Sequence, residues 1–232
     1  MSGPPTWFNS RSWSRVTQDL PEGAIRRYVV EDKPDPATPL SQARLLAVDV
    51  ETTGLDPKKD QILSIGFVPV NGTQIDLAGA GHVLVRAGVE VGDSASIHGI
   101  TDDALTDALT PAEALEVIFG ALHARVMICH HAAIETGFLG TACNTVHGFR
   151  PRLSVVDTLA LQFRLLSQGF DDEPPPGSLR LWTARSQFGL PRYAAHNALT
   201  DALACAELYL AQTAELQAAT PRPLTLKAVL KY

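Results

Sequence analysis

The chain has 232 residues, 45% of them apolar and 19% charged, and a formal net charge of −6. This suits one sizeable domain with extensions, and it excludes a broad basic surface that coats duplex nucleic acid, though not a grip on a strand end. No apolar run is long enough to cross a bilayer, and Met1-Ser2-Gly3-Pro4-Pro5 lacks a signal peptide's charged and apolar regions, so a cytoplasmic protein without membrane contact is expected.

In chain order, residues 1–40 read as an extension and linker punctuated by Pro4, Pro5, Pro21, Pro34, Pro36 and Pro39. Within it, Trp7, Phe8, Trp13, Val16 and Leu20 are spaced for a short amphipathic helix that would pack back on the main domain or meet a partner. The main domain is placed at 41–215, with a tail at 216–232. It opens on 45–51, an almost wholly apolar run that predicts a central strand buried on both faces. A second strand is expected at 62–70, then a hairpin turn at Asn71-Gly72. A third spans 74–77 and 82–85, broken at Gly79 and Gly81. Helical spacing at Ala114, Val117, Ile118 and Leu122 predicts a helix over 111–123, before a short strand at 126–129 and a helix from Ala132. A strand at 153–156 follows, and Asp157 is placed to cap a helix through Leu166. Residues 170–178, with Pro174-Pro175-Pro176-Gly177, read as a mobile loop, and 198–218 as a final long helix. Strands in succession and then alternation of helix and strand give an α/β domain with a mixed sheet. Cys129, Cys143 and Cys205 are odd in number and far apart, and read as reduced, buried residues rather than disulfides or zinc ligands.

The chemistry-bearing residues begin with Asp49 and Glu51. Residues two apart on a strand share a face, so both carboxylates enter one largely apolar setting. Burying one costs several kcal/mol and a second adds repulsion, so a divalent cation is expected there; Gly54 would then let the backbone approach a ligand. Taken alone, an Asp-x-Glu triplet at a strand end often just caps a turn. Glu135 falls in the first turn of a helix, where the dipole favours an acid, at the border of the stripe Ile134, Phe138 and Leu139. Read alone, it is a solvated helix-start acid. In His196-Asn197-Ala198-Leu199-Thr200-Asp201, Asn197 would cap the last helix and His196 would fold over its start. Asp201 shares a face with the small residues Ala198, Ala204 and Cys205. His196 alone is as much a loop histidine as a functional one.

Together these pieces resemble the DnaQ-like 3′→5′ exonucleases of the DEDD superfamily, the group that includes the proofreading epsilon subunit of bacterial DNA polymerase III. The matching segments are Asp49-Val50-Glu51-Thr52-Thr53-Gly54, then His130 to Leu139, then His196 and Asp201, in the family's order. A histidine five positions before the last aspartate marks the His-containing branch. Ser96-Ile97-His98-Gly99-Ile100-Thr101 and Val156-Asp157-Thr158-Leu159 also resemble family segments, and coverage runs from about 43 to 212. One departure stands out. Where the family reads His-Asn-Ala-x-Phe-Asp, this chain has His130-His131-Ala132-Ala133-Ile134-Glu135, an acid one methylene longer.

The resemblance implies a ribonuclease H-like mixed five-stranded sheet flanked by helices. It implies two Mg²⁺ or Mn²⁺ ions, with Asp49 bridging both, Glu51 and Asp201 completing the first and Glu135 supporting the second. His196 would be general base. Thr52, Thr53, Leu55 and His98 would meet the terminal nucleotide, and Arg180, Arg185 and Arg192 either touch upstream phosphates or are ordinary solvated arginines. The implied substrate is the single-stranded or frayed 3′ end of DNA. RNA is an alternative, a DNA polymerase or other protein a possible partner, and a catalytically silent binding module the reading from another class.

Overall fold

The computed structural model describes residues 20–31, 33–167 and 173–231. The expected helix through Trp7, Phe8, Trp13 and Val16 lies outside them, as does part of the 170–178 loop. The first described helix is α1 (Ala24–Val30), whose opening N–H groups of Ala24 and Ile25 are taken up by the Glu116 carboxylate. Strand β1 (Arg44–Thr52) is followed by β2 (Ile62–Asn71), β3 (Gln74–Ile75) and β4 (Gly81–Leu84). Gly72 turns the β2–β3 hairpin with φ +61, and a side chain there would meet the Ser41 carbonyl. A short helix α2 (Ala95–His98) precedes α3 (Pro111–Ala121), which starts on a capping box between Thr110 and Glu113. Then come β5 (Val126–Cys129), α4 (Ala133–His147), β6 (Val155–Asp157), α5 (Thr158–Leu166), α6 (Leu181–Gln187), α7 (Ala198–Ala218) and β7 (Leu230–Lys231).

The sheet is mixed and has seven strands among the described residues, in the order β3-β2-β1-β5-β6-β7, with β4 also pairing β2. The α/β architecture is the expected one, but the strand count is not five. The broken third strand resolves into β3 and β4, both on the free edge of β2, and β7 adds a pair at the far edge. Strand β1 lies in the middle, antiparallel to β2 and parallel to β5.

Side-chain alternation on β1 decides where the site forms. Leu46, Val48 and Val50 pack against α1, α3 and α4 through Ile25, Tyr28, Ile118, Phe119, Phe138 and Leu139. Leu45 and Ala47 face the opposite layer, with Leu161 of α5, Cys205, Ala206 and Tyr209 of α7, and Leu224, Leu226 and Val229. Asp49 and Glu51 continue the second series and are aimed at α7. Residues from the expected extension (Leu20, Ile25, Tyr28) and from the expected tail (Leu224, Leu226, Val229) are buried in these two layers. The three cysteines are free and buried. No helix among the described residues is long and apolar enough to cross a membrane.

Candidate active site

The start of α7 is brought close to β1 by an absence. Gly66 of β2 pairs directly with Asp49, and a methyl group at that position would run into the main chain of Ala198 and Leu199. A glycine in the interior of a mostly apolar strand often marks such an approach. Asn197 caps the helix, its side chain accepting from the Thr200 N–H at 3.1 Å. Asp201 then falls in the first turn, where its Oδ2 accepts from the His196 N–H at 3.0 Å. Carboxylate oxygens of Asp49, Glu51 and Asp201 lie within 4.8 Å of one another.

Glu135 completes the acidic set from α4. It is not the solvated helix-start acid that its local pattern suggests. It is 2% exposed and interacts with Asp49 of β1, Cys129 of β5 and Cys205 of α7, the first and last distant from it in sequence. Together with Asp49, His130 and Arg180 it lines an open cleft of about 540 Å³.

The electrostatics are those of a site built for positive charge. Burial, then Glu135, Asp201 and Glu51, push the Asp49 carboxyl well above its ordinary range. Burial and Asp201 raise Glu51 to about 7. Burial raises Glu135 to about 8, against a backbone hydrogen bond that pulls the other way. Asp201 is raised by burial, and this is tempered by the His196 N–H and by nearby positive charge. Three buried carboxylate oxygens, Glu51 Oε1, Glu135 Oε2 and Asp201 Oδ1, have no hydrogen-bond partner. Buried polar atoms are ordinarily paired, and an unpaired carboxylate is among the most costly groups to bury. An all-oxygen donor set fits a hard divalent cation.

The loop ahead of α4 is held by Asp157. Its carboxylate accepts from the N–H groups of His131 (3.0 Å), Ala132 (3.3 Å) and Leu159 (3.1 Å), and from Lys231 Nζ (2.7 Å). These donors together keep it below the usual carboxylate range despite its burial. His131 adopts φ +72, a left-handed conformation that histidine and asparagine enter more often than most side chains. Burial lowers His130 to about 4, so its ring is neutral. Its Nε2–H donates to the Leu179 carbonyl at 2.8 Å, and its Nδ1 lies 2.9 Å from the Thr158 hydroxyl.

His196 is exposed, in a left-handed conformation of φ +65, with its N–H on Asp201. His98 stands near it. His98 Nδ1 accepts from the Ile100 N–H at 3.1 Å, its Nε2 is buried and unpaired, and burial together with His196 lowers its pKa. Leu55 is 79% exposed. The hydroxyls of Thr52 and Thr53 are engaged within the turn, with Gly54 O and Asp60 Oδ1 respectively. Gly54 has no positive φ; its missing side chain makes room for the Asp60 carboxylate, so its role is internal packing. Arg185 is neither solvated nor turned to the cleft. It is 1% exposed and bound to Glu207, out of reach of any phosphate, because a charge expected in solvent finds its partners on α7. Arg180 lines the acidic cleft and Arg192 is exposed beside Trp182.

A family profile described as Exonuclease (RNase_T) matches residues 46–209. The DNA polymerase III subunit epsilon of Treponema pallidum is 29% identical over 167 residues, 70% of this chain and 73% of that protein. The PolC-type DNA polymerase III of Thermotoga maritima is 31% identical over 183 residues, 78% of this chain but only 13% of its own length. The chain thus spans about an eighth of such PolC-type relatives. Among solved structures, the nuclease domain of 3′hExo, a DEDDh family member bound to rAMP, superposes with a TM-score of 0.63 at 15% identity, covering 75% of this chain and 93% of that one. Escherichia coli Exonuclease I in complex with a dT13 oligonucleotide gives 0.60 at 14% identity, covering 77% and 43%. At those identities the likeness is one of fold.

Proposed function

The chain belongs to the exonuclease family whose profile spans residues 46–209, and from that premise we propose that it removes nucleotides from the 3′ end of DNA with two divalent cations, Mg²⁺ or Mn²⁺. The observation that carries this reading is the set of orphaned, buried oxygens on Glu51, Glu135 and Asp201 around Asp49. Asp49 would reach both ions, Glu51 and Asp201 would hold the first and Glu135 the second. When bound, such ions activate water and offset charge at the phosphorus. A water oxygen would attack the terminal phosphorus as the bond from phosphorus to the preceding nucleotide's 3′ oxygen breaks, releasing a nucleoside 5′-monophosphate. His196, which is exposed, would take the proton from that water, a task suited to imidazole. The exposed Leu55 would lie under the terminal base, with the main chain at Thr52 and Thr53 beside the sugar and the His98 ring flanking the same pocket.

DNA is favoured by the relatives named as DNA polymerase III subunits, which also support a polymerase as partner. RNA is the second reading, supported by the structural neighbour solved with rAMP. Incubation with 5′-labelled DNA and RNA of matched sequence, with Mg²⁺, Mn²⁺ or EDTA, tests both. The expected result is a ladder on DNA shortening from the 3′ end, absent in EDTA and in Asp49→Asn. Hydrolysis that survives Asp49→Asn would overturn the ligand assignment.

A further inference from the structure

The proposed base stands on a segment with little structure of its own. Residues 191–195 lie outside every helix and strand, and make no main-chain to main-chain hydrogen bond among the described residues. Pro191, Arg192, Ala194 and His196 are exposed. Side chains supply the hold instead. Arg185 Nη2 donates to the Pro191 carbonyl and to Glu207 Oε2, each at 2.7 Å, and Nη1 donates to the Ala204 carbonyl at 2.6 Å. The other oxygen of Glu207 accepts from the Tyr193 hydroxyl at 2.9 Å. The guanidinium sits 5.0 Å from the Tyr193 ring centre and 5.3 Å from that of Trp182, and the two rings meet edge-on at 6.2 Å.

Resting on the reading of His196 as base, we propose that Arg185, Glu207 and Tyr193 are its positioning residues. The segment is pinned at Pro191 and Tyr193 by this network, and at His196 by Asp201. Both anchors run to α7, the helix that also carries Asp201. A base must lie within hydrogen-bond reach of the proton it takes, and a shift of about 1 Å in a reacting group costs on the order of 100-fold in rate. A buried ion pair gives little stability over a well-packed apolar group, so what it contributes here is the fixed course of an otherwise unsupported segment.

Tyr193→Phe tests this with one oxygen removed and the ring packing kept. The expected result is a kcat lower by about 10-fold, with KM for the oligonucleotide, Mn²⁺ affinity and melting temperature unchanged. The His196 ring signals in the metal-free protein, assigned by their loss in His196→Asn, should shift or broaden. Glu207→Gln, which keeps an acceptor for Tyr193, should retain more activity than Glu207→Ala. Unchanged kcat with unchanged His196 signals would overturn the proposal. So would a rate loss accompanied by an equal loss of metal affinity or stability, which would mark a general scaffold. If His196→Asn is fully active while Tyr193→Phe moves the His196 signals, the base reading fails and the anchoring stands.

Discussion

Replacing Glu135 by glutamine should stabilise the metal-free protein, and increasingly so as the pH rises. Burial pushes the Glu135 carboxyl of the folded chain up to about 8, above its ordinary range. Between the unfolded value near 4.5 and the folded one, the native state holds a proton that the unfolded chain has released. Stability therefore falls as pH rises through that window. At about 1.4 kcal/mol per tenfold change, the accumulated loss is on the order of a few kcal/mol once the pH is above 8. The side chain is 2% exposed, so solvent screening takes little from this. Glutamine keeps the shape without the charge, and its amide can donate to the neighbouring acids. Denaturant unfolding in EDTA at pH 5, 7 and 9 is the assay. Wild type and Glu135→Gln should lie close together at pH 5 and diverge by on the order of a few kcal/mol at pH 9, with the variant the more stable. Saturating Mn²⁺ should erase most of the wild type's alkaline loss. Two parallel stability curves would refute the reasoning, because they would show that the carboxyl titrates alike in folded and unfolded chains.

Gly66→Ala should destabilise by about 1–3 kcal/mol, as overpacking does, and weaken Mn²⁺ binding by pushing the start of α7 and Asp201 away from β1. Unfolding and Mn²⁺ titration check the two effects separately. His196→Asn should lower kcat by about 10²–10⁴ with the fold intact. Asparagine is chosen because alanine at φ +65 would add backbone strain of its own. An unchanged rate would remove His196 as base.

Much of the architecture is legible in local pattern. The apolar run with acids at two-residue spacing places β1 in the middle of the sheet, and 126–129 and 198–218 match the observed β5 and α7. Asp157 and Asn197 cap the helices they were expected to cap. What escaped is what depends on partners distant in sequence. Glu135 sits at the border of a helical stripe, and nothing nearby in the chain signals the layer that closes over it. Arg185 reads as a solvated charge because Glu207, Tyr193 and the Ala204 carbonyl meet it only in the folded chain. Helix α6 has no counterpart among the expected elements, although Gly189, with φ +65 just beyond its end, is a usable stop signal. Strand β7 has two residues, too few for any alternation to show. Gly66 stands inside a mostly apolar strand, and nothing local in the chain shows the helix it admits.

The carboxylates around Asp49 are proposed to hold the divalent cations on which hydrolysis depends. Calorimetric titration of the metal-free protein with Mn²⁺, run beside hydrolysis on the same samples, tests this most directly. Two ions per chain should bind to the wild type, with Asp49→Asn losing both the binding and the hydrolysis. Hydrolysis that continues in EDTA, or an Asp49→Asn protein that binds Mn²⁺ as tightly as the wild type, would contradict it.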